Sequence, residues 1–137
     1  MNPAAQSQML LIGRLLLAAL FLVFGIRKLI AVAATAGYFA KLGFPMPEVM
    51  AWVSIVIEIG GGALLVLGWQ TRRAAWLLIL FVAIATAMAH RFWQFDAAQY
   101  ANQMTHFFKN VALIGGLLYV AALGPGGVSI DARRRPS

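Results

Sequence analysis

This sequence predicts an all-α integral membrane protein, a four-helix bundle with short connections and both termini on the cytoplasmic side. Three observations lead there. Of its 137 residues, 62% are hydrophobic and only 11% charged, where a soluble domain carries about 25% charged residues. The apolar residues gather into runs long enough to cross a bilayer, separated by proline, glycine or arginine. The basic residues behind the net charge of +7 sit mostly at the ends of those runs, which suits a bilayer and leaves no basic face for nucleic acid. There is no cysteine, so thiol chemistry, thiolate metal sites and iron–sulfur ligation by this chain are excluded.

The first span is expected over about Met9–Ala33. A cleaved signal peptide is its rival, because Ala34-Thr35-Ala36 has the A-x-A pattern. The missing Lys or Arg before Met9 and the interrupting Arg27-Lys28 pair argue against cleavage. The second span, about Val49–Leu67, enters through Pro45-Met46-Pro47 and leaves at Gly68. The third, about Ala74–Ala89, follows Arg72-Arg73, and the fourth, about 105–123, ends before Gly124-Pro125-Gly126-Gly127. The whole of 1–137 reads as one domain, with neighbouring helices antiparallel. An even number of spans puts both termini on one side, with Arg72, Arg73, Arg133, Arg134 and Arg135. That excess makes their side cytoplasmic and turns loops Ala34–Glu48 and His90–Gln103 outward, to the periplasm of a bacterial-type inner membrane.

Length arithmetic then forces some charges inside. The charge-free stretch Leu15–Ile26 covers about 18 Å of a core about 30 Å thick, so Arg14, Arg27 and Lys28 cannot all lie outside. Val111–Leu123 covers about 20 Å, which draws His106, Lys109 and Asn110 into the fourth helix. Glu58 lies midway along its span, too short and too deep to snorkel. An embedded ionisable residue of that kind marks a functional site until shown otherwise. Helical spacing gives each span one polar or small-residue face: Arg14, Ala18, Phe21, Gly25 and Lys28; Ser54, Glu58, Gly61 and Gly62; Thr86, His90 and Trp93; and Asn102, His106, Lys109 and Asn110. Depth suggests Arg14 or Lys109 as the partner of Glu58. It also collects Lys28, His90, Arg91, Trp93, Asn102, His106 and Lys109 at the outer mouth, a cation-rich setting for an anionic or carbonyl-bearing ligand. Gly60-Gly61-Gly62 and Gly115-Gly116 read as close helix packing. The short spacing of a two-histidine metal motif on one helix is absent; from adjacent helix ends His90 and His106 could hold a haem or a metal.

Several of these segments resemble the DoxX family. Arg14-Leu15-Leu16-Leu17 through Phe21 to Gly25-Ile26-Arg27-Lys28-Leu29 is similar to its first-helix signature. Glu58-Ile59-Gly60-Gly61-Gly62, with Leu67-Gly68 and Thr71-Arg72, resembles its second helix and turn. His90-Arg91-Phe92-Trp93, then Asn102 through His106-Phe107-Phe108-Lys109-Asn110 to Gly115-Gly116, and the closing Gly124 to Asp131 follow in the family's order. The resemblance implies a four-helix membrane protein, and in the better-understood branches a small subunit associated with oxidoreductases or membrane oxidative-stress complexes.

Together these readings give an oxidoreductase subunit rather than a complete enzyme, binding a quinone or similar small molecule for a partner. Glu58 is its candidate proton relay, and Arg14, Lys28, His90, Trp93, Asn102, His106, Lys109 and Asn110 are its candidate binding residues. Quinone is the expected ligand, with haem the lesser alternative. A ligand-free assembly subunit is one rival; the other is a transporter of a small anion or lipid-like molecule, which four helices would serve as a homo-oligomer.

Overall fold

The computed structural model describes residues 2–134, so Arg135 lies outside the described residues. Four long helices form the bundle: α1 (Pro3–Ile30), α3 (Pro47–Leu67), α4 (Thr71–Ala89) and α5 (Ala97–Leu123). Two short ones, α2 (Val32–Lys41) and α6 (Ile130–Arg133), complete it with a 3-10 turn at Phe92–Gln94. The four long helices are long and apolar enough to cross a membrane, as the composition requires.

The helices are longer than hydropathy suggested. α1 starts at Pro3, with Asn2 accepting from the Ala4 N–H at 3.0 Å, a proline-at-N1 start with an Asn cap. α5 starts at Ala97, with Asp96 accepting from the Gln99 N–H at 3.0 Å. The extra turns before Thr105 are polar, so a hydropathy reading leaves them in the loop.

The larger departure is α2. Residues 34–48, expected as an outer loop, hold most of a ten-residue helix. Neither proline nor glycine marks the break at Ala31, whose N–H bonds Arg27 O and Lys28 O at 3.2 and 3.1 Å. Tertiary packing sets it, as α2 turns to bury Ala36 and lie along the first half of α3.

Packing follows the small residues. α1 lies mainly on α3, and α4 on α5. A Cβ at Gly25 would come within 3.2 Å of the Ile59 backbone nitrogen, and one at Gly62 within 3.3 Å of Ala18 O. Glycine is what lets these two backbones approach, and the contact sets Gly25 level with Glu58. The core is Ala18, Phe21, Leu65, Ala75, Leu78 and Leu117, all essentially inaccessible. Outward, Leu16, Ile30, Val56, Leu80 and Tyr119 are at least 60% exposed, an apolar exterior that water would not tolerate and lipid accepts. Trp52 and Trp93 mark one rim and Trp69 and Trp76 the other, as amphipathic rings do at the two interfaces of a membrane protein.

Candidate functional site

The start of α1 and the segment after α5 meet at one end of the bundle. Ser7 Oγ accepts from the Gly127 N–H at 2.8 Å. Arg14 is 1% exposed and its hydrogen bonds go to carbonyls, with the Asp131 carboxylate within electrostatic reach: Nη1 donates to Pro125 O at 2.7 Å, and Nη2 to Val128 O at 3.0 Å and Val66 O at 3.4 Å. These are carbonyls left over where α3 ends and where the chain turns after α5, and the guanidinium satisfies them. Gly68, at φ +64°, leaves room for it, since a Cβ there would lie 2.6 Å from Nη1. Asp131 completes this end. Its carboxylate accepts from the Gln70 and Thr71 N–H groups at 2.9 Å each, capping α4 in place of a local side chain and complementing the helix dipole.

Glu58 therefore pairs with neither Arg14 nor Lys109. Its partner is Lys28, whose Nζ donates to Oε1 at 2.8 Å. Because Gly25 is level with Glu58, Lys28 sits one turn above it and reaches back. Glu58 is 6% exposed, and its Oε2 is buried with no hydrogen-bond partner.

Lys28 also belongs to a cavity of about 580 Å³ between α3 and α4, closed over by α2. Phe81, Ile57, Leu80 and Ile84 form its apolar walls, Tyr38 and Phe39 of α2 cover it, and Lys28, Ser54 and His90 supply polarity. The Lys28 ammonium lies 5.5 Å from the centre of the Phe81 ring, a cation–π distance. Ser54 Oγ is engaged, donating to Ala51 O at 2.8 Å. Val53, Leu77, Leu80 and Ile84 are exposed, so the cavity faces the lipid sideways. Burial pushes the Tyr38 phenol above its ordinary pKa, keeping it a neutral donor.

The remaining residues form a second group. The His90 and His106 rings stack with centroids 5.1 Å apart and planes 18° from parallel. His90 Nδ1 is 2.8 Å from Gln103 Oε1, and the Lys109 ammonium is 3.1 Å from His106 Nδ1. Lys109 also lies 5.9 Å from the Phe24 ring centre on α1. Asn110 donates through Nδ2 to Thr86 Oγ1 at 2.9 Å. Trp93 packs edge-to-face on Phe92 and Phe107 at the rim, and Asn102 is exposed nearby. Stacked parallel imidazoles direct their in-plane lone pairs side by side, so this arrangement does not present both nitrogens to one haem iron.

Of the candidate residues, the structure joins Lys28 to Glu58 and His90 to His106 and Lys109, with His90 common to this group and the cavity. Arg14 is separated from both. Sequence reasoning missed Tyr38, Phe39 and Gln103. A continuous apolar helical stretch through residues 32–41 was the available signal for the first two; Gln103 had none.

The DoxX family profile matches residues 9–91. The chain is 35% identical over 130 residues to Inner membrane protein YphA of Escherichia coli (strain K12), which covers 95% of this chain and 93% of that protein. It is 34% identical over 121 residues to Inner membrane protein YqjF of the same organism, 88% of each chain. A more distant likeness, 23% identity over 134 residues, joins it to ER-derived vesicles protein ERV29 of Saccharomyces cerevisiae, of which it spans 36%. No solved structure matches the chain. Four spanning helices, the matched segment and relatives aligned over nearly their full length agree: the chain belongs to the DoxX family of integral membrane proteins.

Proposed function

We propose that this protein is an inner-membrane subunit, with both termini cytoplasmic, that holds a membrane-soluble, oxygen-headed molecule for a partner oxidoreductase, a quinone being the leading candidate. The observation that carries the reading is the lipid-facing apolar cavity with an ammonium on its wall. Apolar walls with a few placed polar groups are how small-molecule sites are built. The two inner membrane relatives support the location.

The residues fit a quinone. Lys28 donates to a ring carbonyl, and the Phe81 face stacks beside it. With Nδ1 of His90 directed at Gln103, Nε2 is the atom left for a hydroxyl of the reduced form. Bound quinone would supply the redox chemistry; the chain's own residues orient the head group, exclude water and hold a proton near it, Glu58 through Lys28. His106, Lys109 and Asn110, with Trp93 and Asn102 at the rim, set the positive field of the mouth. Arg14 acts on the fold, at the opposite end.

Purification in mild detergent, followed by absorbance and mass spectrometry, tests this. Quinone should co-purify near stoichiometry and fall at least about tenfold in Lys28→Met, the loss of one charge-assisted contact. An empty, well-folded protein would sink the reading in favour of an assembly subunit.

A further inference from the structure

Lys28 has two claims on it. It lines the cavity, and it is held by a carboxylate that uses one oxygen and leaves the other buried without a partner. The cavity brings no carboxylate of its own among its lining residues; its ionisable groups besides Lys28 are His90 and Tyr38. Resting on the reading just given, we propose that the cavity takes an amphiphile with an anionic head, and that Lys28 transfers from Glu58 to that head while Glu58 takes up one proton from solvent.

The charge balance drives the coupling. Without ligand, Lys28 and Glu58 sum to zero in a low-dielectric interior. An anionic head drawn to Lys28 makes that sum negative, and two anions sharing one ammonium is the costly arrangement. Protonating the carboxylate restores neutrality: the ammonium keeps its three protons, the new ion pair is Lys28 with the head group, and one O–H bond forms on Glu58. Glu58 is already close to desolvated and half-partnered, so it is the group prepared to lose its charge. The other charged or titratable groups nearby are Arg27 on α1, directed over Phe24 on the exposed face, His90 on α4, His106 with Lys109 on α5, and Tyr38 on α2. His90 and His106 are each engaged at Nδ1, by Gln103 and Lys109. Phe81 fixes the ammonium in place against both anions.

The test uses the full chain in nanodiscs of zwitterionic lipid, with a pyrene-labelled alkyl sulfonate as probe. Energy transfer from tryptophan reads binding, and empty discs give the blank. A sulfonate stays ionised, so any proton uptake belongs to the protein. A pH indicator in weak buffer should report about one proton per probe bound. Glu58→Gln should bind with no uptake, His90→Gln should still take up about one proton per probe bound, and Lys28→Met should weaken both the sulfonate and the neutral probe decylubiquinone at least about tenfold. Binding without uptake by the native protein, or uptake that vanishes with His90 instead of Glu58, overturns the proposal and leaves the cavity reading standing. If neither sulfonate nor decylubiquinone binds, the cavity reading itself fails and the proposal with it. The proton count on the native protein decides the matter even where a variant misfolds.

Discussion

At the scale of single residues, the Lys28–Glu58 pair carries the sharpest expectation. Removing one member of a buried pair leaves a charge with nothing to answer it, and such losses run to about 3–5 kcal/mol. Lys28 is partly exposed at 27%, so the lower end, about 3 kcal/mol, applies to Lys28→Met. Adding Glu58→Gln should recover most of that loss, because a neutral amide replaces the stranded carboxylate. Thermal melts of both variants and the double mutant in detergent check this, and additive losses would show that the two residues do not act as a pair. The sequence made Glu58 stand out by depth alone, but it could not name the partner. Depth along one helix says nothing about how far that helix is slid against its neighbour. The slide is fixed by Gly25 meeting the Glu58 Cβ and the Ile59 backbone nitrogen, a steric fact without a hydropathy signature. Arg14 shows the same gap. It looked like a counterion for Glu58 and is instead a cap for three carbonyls.

At the scale of elements, the four spanning helices were legible because their apolar runs and breakers are local features. α2 was not. Nothing in residues 30–34 announces a break, and the helix is turned by the packing of Ala36 on α3. The start of α4 gives an element-level prediction. Its first N–H groups are satisfied by Asp131, so Asp131→Ala should cost about 1–2 kcal/mol, the usual loss for a helix cap. Backbone exchange should rise at Gln70 and Thr71 more than elsewhere. Protection that stays unchanged at those two amides would show that the cap contributes nothing.

At the scale of the whole molecule, charge is distributed unevenly between the two ends. Arg72, Arg73, Arg133 and Arg134 stand at one end against Asp131, while Lys41 and Arg91 are offset by Glu48 and Asp96 at the other. This asymmetry predicts that the terminal end faces the cytoplasm. The chain has no cysteine, so single substitutions label cleanly. In intact cells a membrane-impermeant maleimide should modify Lys41→Cys and spare Arg133→Cys until the cells are opened. The reverse pattern would invert the topology and place the α2-covered half of the cavity on the inner side.

The clamp at the terminal end also has a meaning in time. Gln70 and Thr71 obtain their acceptor from a residue 60 to 61 positions further along the chain, and Arg14 waits 111 to 114 positions for two of its three carbonyls. During synthesis, then, three spans can be threaded into the bilayer while the beginning of α4 and a buried guanidinium are still without their final partners. Only when Asp131 has emerged does the bundle close. A nascent chain stopped short of that residue keeps an open, polar seam at the membrane surface, its α4 start uncapped.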